Sequence, residues 1–170
     1  MRIRWPIIIL LALAVSLVAQ AAWYFPQMPE RMASHFDASG APNGWMSKHQ
    51  FFSFLTGLTG VLMLVFVGLP VVLPKIPTSL INLPHKAYWL AAERRQTTLR
   101  FFGEWFLWQG CAMLAFVALV QELVYRANLG DSRHLDGRTW VAAAVFVVWT
   151  LGGVGLLLVK FRRVPSARPA

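Results

Sequence analysis

Residues 51–73 read FFSFLTGLTGVLMLVFVGLPVVL, 23 positions without one charged side chain. A hydrocarbon core of about 30 Å is crossed by about 20 helical residues at 1.5 Å each, so this run is long enough to span it. One ionised side chain at its centre would cost roughly 2.5–3.5 kcal/mol on the insertion scale. Working outward, three more runs of the same kind appear: Trp5–Phe25, Phe101–Tyr125 and Thr139–Val159. Only the third carries charge, with Glu104 and Glu122 one turn inside its two ends. Helix is the spanning form, because a membrane barrel needs short alternating strands and the chain has none.

The composition agrees. Of 170 residues, 57% are hydrophobic and 14% charged, against about 25% charged in a soluble domain. A soluble fold of this size cannot hide that much apolar surface, and a disordered chain needs the opposite composition. The net charge of +9 does not indicate a nucleic-acid partner, because the basic residues flank the four runs. With the N-terminus in the cytoplasm, 11 Lys and Arg fall on the inner side and 5 on the outer side. The positive-inside rule therefore predicts four antiparallel transmembrane helices with both termini cytoplasmic. Trp5, Trp23, Tyr24, Trp45, Trp89, Tyr125 and Trp140 stand at the borders, where aromatic belts form.

The predicted fold is thus an all-α integral membrane bundle with a structured outer loop between the first two helices. The expected place is the inner (plasma) membrane. Within the first run, Ala19-Gln20-Ala21 has the form of a signal-peptidase site. The apolar stretch continues past it through Trp23 and Phe25, which favours a retained helix. Small residues four apart (Ser53 and Gly57, Thr56 and Gly60, Ala12 and Ser16) predict close helix packing, as do Gly152, Gly153 and Gly155. Met63 and Met113 read as gap fillers, and Cys111 as an inert, buried small hydrophobe. One cysteine excludes an internal disulfide.

Two connections carry the remaining information. In the outer loop Pro26 and Pro29 stop the first helix, and Met32 to Phe36 read as a short extended segment. Asp37-Ala38-Ser39-Gly40 predicts a turn, and Pro42-Asn43-Gly44 a second one, with positive φ expected at both glycines. Asp37 is expected to cap its turn, with His35 hydrogen-bonded to Asp37 or a backbone carbonyl. Lys48 is expected to snorkel beside the second span or to pair with Asp37 or Glu30. In the inner loop Pro74, Pro77 and Pro84 predict irregular backbone, followed by a helix from Glu93 that continues into the third span. Arg94 and Arg95 read as solvated, lipid-facing side chains, with a cytoplasmic docking surface as the sharper alternative. Glu104 with Arg100, and Glu122 with Arg126, lie four apart and predict helix-end ion pairs.

The outer run Phe25-Pro26-Gln27-Met28-Pro29-Glu30-Arg31-Met32, then His35-Phe36-Asp37-Ala38-Ser39-Gly40, Pro42-Asn43-Gly44-Trp45 and Ser47-Lys48, resembles the signature of the DUF1648 membrane family. The inner run Ile81-Asn82-Leu83-Pro84, then Tyr88-Trp89-Leu90 and Glu93-Arg94-Arg95, resembles a second block found in a branch of it. The resemblance covers about residues 1–100, leaving 101–160 as the third and fourth helices and 161–170 as a basic cytoplasmic tail. It implies a bacterial multi-pass membrane protein. The family's larger relatives act in immunity to a secreted peptide toxin and in holding a repressor at the membrane. The motif positions it marks are Pro29, His35, Phe36, Asp37, Gly40, Asn43, Gly44, Trp45 and Lys48 outside, and Asn82, Pro84, Tyr88, Trp89, Glu93, Arg94 and Arg95 inside.

No nucleophilic triad, phosphate loop or HExxH stretch occurs, so no catalytic residue, cofactor or metal is assigned. The leading expectation is a non-enzymatic sensing or immunity protein. Besides the lipid bilayer, it would meet an extracellular peptide or envelope ligand outside and a partner protein inside. One alternative is a membrane-embedded metal enzyme using His35, Asp37 and His49, joined by Asp131, His134 or Asp136 if the outer loops converge. The other is a structural accessory subunit of a membrane complex.

Overall fold

A computed structural model describes residues 4–164. Arg2, Arg168 and the end of the basic tail lie outside the described residues. The elements in chain order are α1 (Arg4–Tyr24), β1 (Arg31–Phe36), β2 (Pro42–Ser47), α2 (Lys48–Val72), α3 (Lys86–Trp89), α4 (Ala92–Leu129) and α5 (Arg138–Arg162). Four of these helices, α1, α2, α4 and α5, are long and apolar enough to cross a membrane. The protein is therefore a multi-pass membrane protein.

The bundle is organised around α4, which packs against α1, α2 and α5. Side-chain pairs give the directions. Phe52 stacks on Tyr125, while Pro70 faces Gly103, so α2 runs opposite to α4. Phe146 stacks on Phe116 and Phe161 on Phe102, so α5 does the same. Pro6 lies beside Cys111 and Tyr24 beside Glu122, so α1 runs with α4. At 38 residues and 1.5 Å per residue, α4 is about 57 Å long and extends well beyond one hydrocarbon core.

The glycines that allow this packing are not those expected from spacing. A Cβ on Gly57, Gly60, Gly152 or Gly155 would meet nothing within 4 Å, so these residues face outward. Close approach occurs on α4 instead. A Cβ on Gly110 would lie 2.7 Å from Phe66 and 3.2 Å from Leu10, so only glycine lets α1 and α2 converge there. Of the expected set, Gly153 is the one in contact, against Trp105. Cys111 is buried as expected, and its Sγ donates to the Pro6 carbonyl at 3.3 Å.

The chain departs from an all-α arrangement in the outer loop, where β1 and β2 form an antiparallel hairpin. Met32 and Ala33 are fully buried in it while Arg31 and His35 are exposed. The turn at Asp37–Gly40 is present, with Gly40 at φ +92°. The second expected turn is absent, because Pro42–Ser47 is strand and Gly44 pairs with His35 across the hairpin. Gly44 is required for space rather than for positive φ, since a Cβ there would sit 2.9 Å from the His35 side chain. Strand β2 passes into α2 without a linker. Ser47 caps the helix by accepting from the Gln50 N–H at 3.3 Å, while Gln50 Oε1 accepts from the Ser47 N–H at 3.2 Å. This reciprocal box contributes about 1 kcal/mol to such a helix start.

Candidate functional site

The hairpin is fixed at three points. At its base the Lys48 N–H donates to the Glu30 carbonyl at 2.9 Å. Lys48 Nζ pairs with Glu30 Oε1 at 2.8 Å and lies 5.1 Å from the Phe25 ring centre. The Glu30 alternative for Lys48 is thus the one realised, and the ammonium beside Glu30 lowers its carboxyl below the ordinary range. In the middle, buried Asn128 on α4 takes both backbone groups of Ala33. At the tip the Leu135 N–H donates to the Gly40 carbonyl at 2.9 Å, docking the α4–α5 connection on the hairpin turn. A Cβ on Gly40 would lie 2.6 Å from the Leu135 carbonyl oxygen, so glycine is needed there for contact as well as for φ. Beneath the hairpin, Met28, Met32, Phe51, Phe52 and Tyr125 form a buried cluster, against which Phe36 packs.

Asp37 caps the turn as expected. It accepts from Ser39 Oγ at 2.6 Å, from Ser39 N–H at 2.9 Å and from Ala41 N–H at 3.0 Å. These bonds, led by the Ser39 hydroxyl, hold its carboxyl below the ordinary value of 3.8. His35 does not reach Asp37. Its Nδ1 lies 3.0 Å from Ser34 Oγ, and the ring stays exposed over Gly44. The three donors of the turn converge on Asp37 Oδ1. His49 is likewise withdrawn, packing edge-on against Phe25 at 5.4 Å. The two outer connections do converge, but among the described residues no three His, Cys, Asp or Glu side chains gather as a metal site. His35, Asp37 and His49 therefore do not form the ligand set of the enzyme alternative.

The exposed face of the hairpin instead carries a motif that residue spacing did not reveal. Trp45 is 37% exposed and has two guanidinium groups near its ring, Arg31 at 5.5 Å and Arg133 at 5.2 Å. Arg31 comes from β1, Trp45 from β2 and Arg133 from the α4–α5 connection, where it holds φ +47°. Such a backbone state is uncommon for a residue with a Cβ. Neither arginine forms an ion pair among the described residues. Each cation–π contact contributes roughly 0.5–1 kcal/mol at an exposed site. Pro29 is half-buried and Asn43 exposed at the rim of the hairpin.

Below the hairpin, Glu122 accepts from Gln20 Nε2 at 2.9 Å, Tyr24 OH at 2.8 Å and Arg126 Nε at 2.7 Å. The expected Glu122–Arg126 pair is therefore one arm of a larger knot joining α1 to α4. The matching pair between Glu104 and Arg100 is not formed among the described residues.

At the opposite end, Arg94 is exposed and Arg95 half-buried. Arg95 donates to the carbonyls of Pro74 at 3.1 Å and Ile76 at 2.8 Å, which ties down the irregular segment after α2. Arg94 donates to the Tyr88 carbonyl at 2.8 Å and lies 4.0 Å from the Tyr88 ring centre. Trp89 Nε1 donates to the Phe161 carbonyl and His85 Nε2 to the Arg162 carbonyl, so this segment closes the end of α5. Glu93 stands in the first turn of α4, where a negative charge complements the helix dipole. Asn82 and Pro84 are exposed.

Residues 7–73 match the family model described as a domain of unknown function, DUF1648. The multi-pass protein described above is therefore a DUF1648 domain-containing protein, and the matched region takes in nearly all of α1, the hairpin and α2. Comparison with curated proteins and with solved structures returns no match.

Proposed function

We propose that this protein is a non-enzymatic sensing or immunity protein of a bacterial plasma membrane. In this reading both termini lie in the cytoplasm and the hairpin faces outward, as the distribution of Lys and Arg favours. The observation that carries the reading is the Arg31–Trp45–Arg133 group on an immobilised, exposed hairpin. Two cations and one accessible indole, held in place before any ligand arrives, suit an anionic group on an extracellular peptide or envelope component. The segment around Tyr88 and Trp89, held by Arg94 and Thr98, is then the face for a cytoplasmic partner.

The test is complementation. Cells lacking the gene are compared with cells carrying wild type, Trp45→Ala, or the Arg31→Gln/Arg133→Gln pair, under challenge by secreted peptides. Wild type is expected to restore the phenotype, and both variants to fail at unchanged membrane levels. Full complementation by both variants would remove the recognition role.

A further inference from the structure

Among the described residues, a cleft of about 570 Å³ between α1, α2 and α4 combines two chemistries. Ile7, Val67 and Leu107 line its apolar end, and Arg95 and Arg100 stand at the other, with no acidic residue in the lining. It opens where α1 begins, at the level of Leu107, while α4 continues down to Ala92. Pro70 on α2 and Gly103 on α4 form its waist, where a Cβ on Gly103 would already touch Pro70 at 3.4 Å.

Depth identifies the occupant. Counting about 20 residues down α4 from Tyr125 puts the far face of the hydrocarbon core at about Trp105. Arg100 is then one to two turns further out, at the depth of lipid phosphates, and Leu107 is inside the acyl layer. Arg95 is held in place by the Pro74 and Ile76 carbonyls, and Arg100 forms no ion pair among the described residues. Arg100 at phosphate depth and Arg95 about 7 Å further out along α4, neither in an ion pair among the described residues, adjoin an apolar slot and make a basic pocket between helices, a form that suits an anionic headgroup. We infer that this cleft is a binding site for one anionic phospholipid, its phosphate at Arg100, its headgroup extending toward Arg95, and one acyl chain along Ile7, Val67 and Leu107. The site is independent of the hairpin and of its proposed ligand.

The test uses the full chain in mild detergent, mixed with phosphatidylglycerol or phosphatidylcholine of matched chains, with bound lipid counted by native mass spectrometry. Wild type is expected to retain one phosphatidylglycerol in preference to phosphatidylcholine. A basic side chain near a membrane surface contributes about 1 kcal/mol, so Arg100→Gln should lower that preference about fivefold, and Arg100→Lys should keep it. Arg163→Gln, which removes the same charge from the exposed position just after α5, should leave the preference unchanged. Val71→Trp, which fills the slot, should reduce retention of both lipids. Melting in lipid-free detergent confirms that each variant is folded. Equal retention of the two lipids by wild type, or an equal effect of Arg163→Gln and Arg100→Gln, would overturn the site. Displacement of the lipid by inorganic phosphate alone would also overturn it, in favour of a simple anion site.

Discussion

The side-chain amide of Asn128 completes the backbone hydrogen bonding of Ala33. Asn128 Oδ1 accepts from the Ala33 N–H at 2.7 Å, and Nδ2 donates to the Ala33 carbonyl at 3.0 Å. In register Ala33 faces Trp45, and the amide of Asn128 stands where a third strand would supply the outer ladder bonds. A helix thus closes the buried side of a two-stranded sheet that would be marginal by itself.

Both groups of Ala33 are buried, so removing their partner leaves them unsatisfied at about 1–3 kcal/mol each. Asn128→Ala should therefore lower the detergent melting midpoint markedly. Asn128→Asp should recover little, because it loses the Nδ2 donor and buries a charge. A midpoint equal to wild type for Asn128→Ala would show that the hairpin stands without this anchor.

Gly110 and Gly57 make a second contrast. Gly110→Ala forces a methyl against Phe66 and Leu10, and overpacking of this kind costs about 1–3 kcal/mol. Gly57→Ala meets open space and should be neutral or slightly stabilising through helix propensity. Thermal midpoints of the two variants measured side by side decide the matter, and an identical response would place α2 and α4 further apart than described.

The two hairpin glycines should separate by what rescues them. At Gly40 both the φ of +92° and the Leu135 contact oppose a side chain, so Gly40→Asn, which tolerates positive φ, should be nearly as damaging as Gly40→Ala. At Gly44 the nearest obstacles are atoms of His35, so His35→Gly should partly restore Gly44→Ala. Folded yield in the membrane reads both, with Ala38→Val as the surface control.

For pH the sign follows from the direction of the Asp37 shift. Its folded carboxyl is held below 3.8, so its stabilising effect is complete above that value. The effect is lost as pH falls through the folded value. Trp45 fluorescence should therefore stay constant from neutral pH to about 4 and change only below it. In Asp37→Asn the low-pH step belonging to the turn should be missing. A transition well above pH 4 that persists in Asp37→Asn would overturn this assignment.

Orientation can be read with single cysteines in a Cys111→Ala background. Cysteines at Ser39 and Ser132 should react with an impermeant thiol reagent in intact cells, and one at Ser79 should not. Labelling of Ser79 but not Ser39 would invert the proposed orientation.

The four spans were legible because a charge-free run of 21 or more residues, such as Thr139–Val159, has few physical interpretations besides crossing a bilayer. The turn at Asp37–Gly40 was legible for a local reason, since an Asx cap and a left-handed glycine act within four residues. What could not be read was tertiary. Gly57 and Gly110 are alike in composition and neighbourhood, and only the identity of the facing helix tells which one touches Phe66. Asn128 lies three residues past the apolar run that ends at Tyr125, and nothing local marks it as the anchor of the hairpin. The Trp45 group draws its two arginines from segments about 100 positions apart, a juxtaposition no local pattern encodes. The anchoring of Arg95 was not legible because its partners, the carbonyls of Pro74 and Ile76, are backbone groups that every sequence has and that signal nothing.

One helix connects all of this. Asn128 and Thr98 belong to the same uninterrupted α4, which has no proline in its 38 residues. Asn128 grips the hairpin at one end, and Thr98 Oγ1 donates to the Trp89 carbonyl at the other. The two extramembrane segments are therefore mounted on a single strut. A rod of about 57 Å that tilts by about 5° about its middle carries each end through about 2.5 Å, in opposite directions. Mechanically, the hairpin and the segment around Trp89 are the two tips of one lever, with the bilayer as its bearing.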